Sequence, residues 1–494
     1  MADLVRTKDN RLKLGTPRTI YMDAGVWGGP EQGLPQMTFG LMEHNGIALC
    51  SYFSSGKNVT LPVLPDLGYD FHKTYMSTFL TLLMQKKYGV KLEQWDLRKG
   101  FHVLKIFPFA EKELLDETAE LRILVPDLHL HLFKDTYLDN FITNYGNECT
   151  SNAIKVVKLG KRTSMETDFG IFLETIAEFQ KSVLPQTRVH FLGDLCELWE
   201  TESIVRYYAS ADQEKKIYAL LDDLGKWVRD TLEQSPAAEK DPRFKKLKGY
   251  VKELTKTKLS DTPLDPETKR QLESIYKKSN AQSFLFEPDE DQETVKQRSL
   301  GIRSEIFKKH HSKSGKSFAD LWDEISWKII VYGNHDNYLS GINEANNTFA
   351  FSPLELQPYR FKNQYTFKNC AFLFSHGHNM DFFNNDEACA LGRVITCLLV
   401  FYELKRRGDL VRKFEGLFRS DEEVRLDHIK KIARLCYLWE KEDREYTKKN
   451  KVIVLAHTHI PDLRDMSNEA LIWKWAEDAW SKPVEKPQKS VRHF

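Results

Sequence analysis

Five short segments of the sequence carry acidic, amide and imidazole side chains at close spacing. In chain order they are Asp127-Leu-His129, Gly193-Asp194, Gly333-Asn334-His335-Asp336, His376-Gly-His378 and His457-Thr-His459. The chain has 15 histidines, and nearly half lie in or beside these segments, whereas histidines that only fill a core would be scattered. Oxygen and nitrogen ligands without a thiolate suit catalytic Mn²⁺, Fe or Zn²⁺. There are enough ligands for two ions, and two cations that share a carboxylate can promote in-line displacement at phosphorus.

The elements that must position these side chains can also be predicted. The apolar run 121–125, LRILV, precedes Asp127, and similar runs precede Asp194, Asn334 and His457. Four to eight apolar residues bounded by polar ones are typical of a fully buried strand. Residues 169–180 have apolar positions at helical spacing, which predicts a strand–helix–strand unit with parallel strands. Because ligands bind at the carboxyl ends of strands in open α/β sheets, the strands would gather the polar groups in one place.

The five motifs DLH, GDLCE, GNHD, HGH and HTH, in this order, resemble those of the calcineurin-like metallophosphoesterase superfamily. The resemblance covers about residues 120–199 and 328–465, and its specificity comes from the ordered set, because any one motif is short. It implies an α/β fold with a layered β-sandwich flanked by helices. It also implies hydrolysis of a phosphate ester or phosphoanhydride by a hydroxide that bridges two divalent metal ions, Mn²⁺ first, with Fe or Zn²⁺ as alternatives.

The resemblance assigns a role to each motif residue. One metal ion would be held by Asp127, His129 and His459. The other would be held by Asn334, His376 and His457, with Asp194 bridging the two. His335 would stabilise the transition state or protonate the leaving group, and Asp336 would orient its imidazole.

The sequence departs from the common family pattern at three positions and extends it at others. Pro126 replaces the usual Ser or Thr, Glu197 replaces a supporting Asp, and Ala456 replaces a Gly, so no ligand is lost. Residues beside the ligands are expected to support them or to face the substrate; they are Glu197, His378 and Asp381, while His131 has packing as an equal alternative. Trp199 and Asp381 are also similar to residues of the branch that includes UDP-diacylglucosamine pyrophosphatases, which cleave a phosphoanhydride.

The pattern along the chain predicts several parts. Residues 1–118 have short strand-like runs and Gly- and Pro-rich turns, which indicate a separate N-terminal α+β module of unassigned role. The catalytic domain would comprise residues 119–199 and 328–480. Residues 200–327 are charged and rich in helical patterns, and we expect a helical insertion over the strand ends. The tail, 481–494, is rich in Lys and Pro and is expected to be loose.

Composition limits the classes of partner. Lys and Arg number 72 against 71 Asp and Glu, so no overall charge favours nucleic acid or an acidic membrane. The amino terminus lacks the apolar segment of a signal peptide, and no run is long enough to span a membrane. Seven scattered cysteines without a Cys-x-x-Cys pair favour reduced thiols. We therefore expect a cytoplasmic location.

Three functional alternatives remain open at this stage. The leading one is a phosphoesterase for a phosphorylated small molecule, since an insertion over the site would narrow access to it. A nuclease or phosphodiesterase that acts on nucleic acid is the second. The third is a non-catalytic metal-binding scaffold whose N-terminal module contacts a protein partner of unknown identity.

Overall fold

The computed structural model describes residues 19–25, 27, 37–43, 46–52, 71–89, 103–108, 120–130, 165–199, 292–336, 349–351, 364–367, 370–378, 432, 450–458 and 461–466. Several predicted features lie outside these residues. They are the ligand His459, the neighbours His131 and Asp381, residues 200–291 of the insertion and the tail 481–494.

Twelve strands are present in the described residues. They are β1 (Thr19–Asp23), β2 (Thr38–Glu43), β3 (Gly46–Ser51), β4 (Val103–Pro108), β5 (Arg122–Val125), β6 (Arg188–Phe191), β7 (Lys328–Val331), β8 (Phe349–Phe351), β9 (Gln364–Phe367), β10 (Cys370–Phe374), β11 (Asn450–Leu455) and β12 (Asp462–Asp465). One sheet has seven strands in the order β4-β3-β2-β5-β6-β7-β8, and the other has five in the order β12-β1-β11-β10-β9. Both sheets mix parallel and antiparallel pairs.

Four α-helices and one 3-10 helix lie within the same described part of the chain. They are α1 (Tyr75–Tyr88), α2 (Met165–Ser182), α3 (Gln292–Lys309), α4 (Phe318–Glu324) and the 3-10 helix Phe71–Lys73. Helix α1 begins after Thr74, whose side chain accepts a hydrogen bond from the amide of Ser77, and ends at Gly89 in the left-handed conformation. A capping box of Ser317 and Asp320 begins α4. None of the described helices is long and apolar enough to cross a membrane.

Two buried clusters show how these elements are layered. Ile123 of β5 packs with Phe172 of α2 and Trp322 of α4, between the seven-stranded sheet and the helices. Its neighbour Leu124 points to the opposite face and packs with Phe372 of β10, between the two sheets. The order of layers is therefore helices, seven-stranded sheet and five-stranded sheet. The expected α/β content is confirmed at this level.

The N-terminal strands belong to both sheets. Strand β1 pairs in parallel with β11, with Asp23 opposite Leu455, and β2 pairs antiparallel with β5, with Leu41 opposite Ile123. The prediction of a separate module over residues 1–118 is therefore wrong for the described strands. Gly- and Pro-rich turns mark surface loops as well as domain boundaries, and a local pattern does not reveal that a strand pairs with one more than 400 residues away.

The helical segment before β7 also differs from the prediction. Phe318 of α4 packs against Phe169 of α2, and Trp322 packs against Phe191 of β6 and Phe307 of α3. Residues 292–327 are thus part of the helical layer that covers the seven-stranded sheet, and the predicted insertion does not extend to residue 327. Exposed charged residues such as Glu305 and Lys308 made α3 look like a solvated helix, although Ile306 and Phe307 of the same helix are buried.

Candidate metal centre

The topology brings the five motifs to one edge of the structure. Strands β5, β6 and β7 are adjacent and parallel, so their carboxyl ends lie together. Strands β10 and β11 are likewise adjacent and parallel in the second sheet. Main-chain contacts join the loops: His129 N donates to Asp194 O at 2.8 Å, and Ala456 N donates to His376 O at 3.0 Å. The described parts of the five motifs therefore lie close together, and His459 is outside the described residues.

His376 lies at the centre of one group of candidate ligands. Its Nε2 atom is 3.1 Å from Asp194 Oδ2, 3.1 Å from Asn334 Oδ1 and 3.2 Å from His457 Nδ1. Ligand atoms of Asp194, His376 and His457 all lie within 4.8 Å of one another. Asn334, His376, His457 and Asp194 are the four residues predicted for the second metal ion.

A second group shares Asp194 with the first. Ligand atoms of His129, Asp194 and His335 also lie within 4.8 Å of one another. His129 Nε2 is 3.9 Å from Asp194 Oδ2, and the rings of His129 and His335 are 4.9 Å apart. Within the described residues, Asp194 is thus the one carboxylate that belongs to both groups. A ligand that bridges two metal ions would occupy the same position.

Asp127 is placed differently from the expectation. The structure puts its carboxylate beside the first group: Oδ1 is 3.3 Å from His376 Nδ1, and Oδ2 accepts a hydrogen bond from the main-chain amide of His457 at 3.0 Å. The group that contains His129 includes His335 instead of Asp127. Asp127 is fully buried and connects the loops after β5 and β11.

The partner of His335 is Glu197, not Asp336. His335 Nδ1 lies 2.5 Å from Glu197 Oε1, and His129 Nδ1 lies 2.6 Å from Glu197 Oε2. Asp336 instead accepts hydrogen bonds from the main-chain amides of Gly333 and Leu195, at 2.7 and 2.9 Å. The prediction that Asp336 orients the imidazole is therefore wrong. The two amides bind the two different oxygens of Asp336, so its carboxylate is used to hold the loops after β6 and β7.

Trp199 and His378 complete the surroundings. The ring of Trp199 stacks on that of His335, with centroids 4.3 Å apart and planes at 27°. This contact and the bond to Glu197 hold the imidazole of His335 by its face and by one edge. His378 is buried, 5.3 Å from the ring of His376 and 6.3 Å from that of His457, but it is in neither group of candidate ligands.

The turns that carry these residues have unusual backbone conformations. His129, Asp194 and His457 have φ values of 46°, 44° and 70°, which residues other than glycine rarely adopt. Such strain is characteristic of functional sites, where the surrounding structure enforces it. Gly193 and Gly333 are needed for a different reason: a Cβ atom would lie 2.3 Å from His376 Nδ1 at the first position and 2.1 Å from Asp194 Oδ1 at the second.

Burial and close charges shift the acid–base properties of the centre. Burial raises the pKa of Asp194, but the imidazoles of His376 and His335 outweigh it and hold that pKa well below its usual range. Burial and the neighbouring carboxylate of Asp194 raise the pKa of Asp336 to about 7. Burial lowers the pKa of His376, but Asp194 and Asp127 outweigh it and leave that pKa above its usual value.

Comparisons with known proteins do not assign the chain to a group. No protein-family model, no curated protein and no solved structure matches it.

The donor atoms fit divalent cations. His376 Nδ1 donates to the main-chain oxygen of Leu192 at 2.9 Å, and this contact directs Nε2 toward Asp194 and Asn334. The Nε2 atom of His376 is 3.1 Å from an oxygen of Asp194 and 3.1 Å from an oxygen of Asn334. A nitrogen lone pair would repel these oxygens, so a proton or a cation must lie among the three atoms. The second contact of a ligating imidazole is commonly a carbonyl or a carboxylate, as found here for His376 and for His129.

One residue near the centre was not singled out from the sequence. Asp23, at the end of β1, is buried and accepts hydrogen bonds from the hydroxyl of Thr458 and, at 2.9 Å, from the amide of Gly25. Burial raises its pKa well above the usual value. The sequence does contain a signal for it, because the run TIYM ends in an acid in the same way as the strand before Asp127.

Proposed function

We propose that this chain is a dinuclear metal-dependent phosphoesterase that hydrolyses a phosphate ester or phosphoanhydride, built on a metallophosphoesterase-type β-sandwich. The observation that carries the proposal is the position of Asp194 in two groups of ligands that meet at the strand ends. The ordered motifs support the same reading. A phosphorylated small molecule is the substrate class we favour, and the near-neutral charge of the chain disfavours extended nucleic acid.

The chain would hold its cations by residues from both sheets. Asn334, His376 and His457 would hold one ion, supported by Asp127 beside His376, and His129 would hold the other, with Asp194 common to both sites. His335 lies beside His129, but its role would be toward the substrate and not as a metal ligand. Bound cations would supply positive charge that polarises the phosphorus–oxygen bond and activates water for attack. Mn²⁺ suits this mixture of oxygen and nitrogen ligands, with Fe and Zn²⁺ as alternatives.

His335 would act on the leaving group. Glu197 holds its Nδ1 edge, so the Nε2 edge is the one that can face a substrate. The attacking water would release one proton to solvent as its oxygen bonds to phosphorus. As the bond to the leaving oxygen breaks, the imidazolium would donate its own proton to that oxygen. The negative charge of Glu197 would stabilise the protonated ring of His335 before the proton is transferred. Proton transfer of this kind contributes about 10²- to 10⁴-fold to a rate.

The test combines metal binding with turnover. Metal-free protein is titrated with Mn²⁺, and hydrolysis of aryl phosphate mono- and diesters is measured. We expect about two ions per chain, loss of binding and turnover for Asp194→Asn, and loss of turnover with metal retained for His335→Ala. Asp168→Asn, a buried carboxylate on α2 outside the centre, is the control. Metal binding without hydrolysis of any ester would favour the scaffold alternative, and full turnover by both variants would exclude the proposal.

A further inference from the structure

The segment that follows β1 runs from one sheet to the other beside the candidate metal centre. Strand β1 is paired with β11, and the pairing continues beyond Asp23, where Ala24 N donates to Leu455 O at 2.9 Å. Both strands therefore end at the same edge of the sheet. Strand β11 ends two residues before His457, so the end of β1 lies against the loop that carries the last motif.

The first contact of this segment is with Thr458. The carboxylate of Asp23 is 1% exposed, and its Oδ2 atom accepts the hydrogen bond of the Thr458 hydroxyl. Its Oδ1 atom accepts from Gly25 N at 2.9 Å. In the sequence, Thr458 stands between the two histidines of the motif His457-Thr-His459. A carboxylate 435 residues away thus holds the side chain at the middle of that motif.

The second contact of the segment is with Asp127. Trp27 N donates to Asp127 O at 2.8 Å, and the Trp27 ring is buried 4.7 Å from that of Phe172. The turn between the two contacts is tightly fitted, since Gly25 has φ +80° and a Cβ there would lie 2.2 Å from Thr38 Oγ1. Asp127 in turn accepts the amide of His457. The segment therefore braces both loops that meet at the first group of ligands.

We propose that Asp23 is a positioning residue of the metal centre, which fixes Thr458 and through it the strained turn at His457. The inference rests on the proposed function, because it concerns how tightly the metal is held. Asp23 touches no candidate ligand; it acts through the Thr458 hydroxyl. His457 has φ 70°, a conformation that the surroundings must enforce, and the bond from Thr458 to Asp23 is one of the contacts that enforce it.

The test measures Mn²⁺ affinity by a signal that does not depend on turnover, the electron paramagnetic resonance of free Mn²⁺ in titrations of the metal-free full chain. Asp23→Asn keeps the oxygen that faces Gly25 but replaces the charged oxygen that accepts from Thr458 by an NH2 group, which cannot accept, so the charge-assisted bond from the hydroxyl is lost. Thr458→Val removes the hydroxyl from the other side with little change in shape. Residues that orient ligands contribute about 10- to 100-fold to metal affinity, so we expect both variants to bind Mn²⁺ about tenfold more weakly.

Controls separate positioning from general stability. Thr458→Ser keeps the hydroxyl and should restore wild-type affinity, and Asp168→Asn removes a buried carboxylate elsewhere and should not weaken binding. The double variant Asp23→Asn/Thr458→Val should bind no more weakly than either single one, because both remove the same contact. In the single variants, excess Mn²⁺ should restore kcat, which a loss of folded protein would not allow.

Two results would overturn the inference, and they are distinguishable. Wild-type affinity in both Asp23→Asn and Thr458→Val, with two ions bound by the wild type, would remove the positioning role and leave the proposed function intact. No Mn²⁺ binding by the wild type would overturn the proposed function, and this inference with it. Thr458 is only partly buried, so Thr458→Val carries the test even if Asp23→Asn does not fold.

Discussion

His335 Nδ1 lies 2.5 Å from Oε1 of Glu197, although 138 residues separate the two in the chain. The other oxygen of the same carboxylate receives His129 Nδ1 at 2.6 Å. Burial raises the pKa of Glu197, but the two imidazoles outweigh it and hold that pKa far below the usual range. Glu197 therefore keeps its negative charge at neutral pH and joins a candidate ligand to the candidate proton donor.

Glu197→Gln should lower kcat by about 10- to 100-fold, since an amide keeps the shape but loses the charge that orients and stabilises both rings. The kcat values are measured by steady-state kinetics at saturating Mn²⁺. Glu178→Gln, on the exposed part of α2 beside Lys86, is the control and should leave kcat unchanged. A kcat of Glu197→Gln equal to that of the wild type would mean that this carboxylate only contributes to packing.

Gly193→Ala and Gly333→Ala should abolish metal binding. At these positions the added methyl group would occupy space held by His376 and Asp194, and the φ of Gly193, 114°, adds backbone strain. Gly301→Ala is the matched control, because on α3 an added Cβ meets no atom within 4 Å. That control should stabilise the protein by roughly 0.5–1 kcal/mol, the helix preference of Ala over Gly. Metal analysis of purified protein and chemical unfolding measure the two effects; retained metal in both site variants would contradict the argument.

Trp27→Ala should destabilise the whole domain by about 3–5 kcal/mol, the usual cost of removing a buried Trp. The indole packs against Phe169 and Phe172 of α2 and against Tyr52, which directly follows β3, at centroid distances of 4.7–5.3 Å. Trp327→Ala, at a site that is 40% exposed, should cost much less. Urea unfolding followed by circular dichroism measures both. If Trp27→Ala left the midpoint of the main urea unfolding transition unchanged, the result would support an independent N-terminal module.

Lys87 should make stability rise with pH above about 8. Its ammonium donates to the main-chain oxygen of Tyr52 and lies 3.7 Å from the centroid of the Tyr52 ring; burial lowers its pKa to about 8. In the unfolded chain the pKa of a lysine is about 10.4. Between about pH 8 and about pH 10.4 the unfolded chain therefore binds more protons at Lys87 than the folded chain does. The free energy of unfolding therefore increases with pH in that window, by roughly 2–3 kcal/mol in total.

The measurement compares the wild type with Lys87→Met from pH 7 to pH 10. From pH 7 to pH 10 the unfolding free energy of the wild type should rise relative to that of Lys87→Met. The other titrating groups are common to both proteins, so their contributions cancel in this comparison. Lys86→Met controls for the loss of a lysine from the same turn of α1. A difference that is independent of pH would show that the ammonium of Lys87 is not desolvated.

The sequence by itself determined most of the candidate ligands and the strands that carry them. Strands β5, β6, β7 and β11 were predictable because each is a short apolar run that ends at a polar motif, and burial on both faces requires such a run. Strands β9 and β10 pair antiparallel and are only two residues apart in the chain, a spacing that by itself favours a hairpin. The end of α1 at Gly89 also depends on local sequence, because a helix often ends in a left-handed residue and glycine adopts that conformation most easily.

Only the tertiary structure decided which distant groups meet. The pairing of β1 with β11 depends on the whole sheet, and a strand's own residues do not specify a partner so far away. Asp336 is next to His335 in the chain, yet Glu197 holds the ring, because the loop after β6 lies against the loop after β7, where Leu195 N donates to Asp336. Local patterns record which side chains a turn can present. Long-range packing fixes their distances and directions, and it brings Glu197 and Asp23 beside the candidate ligands and their loops.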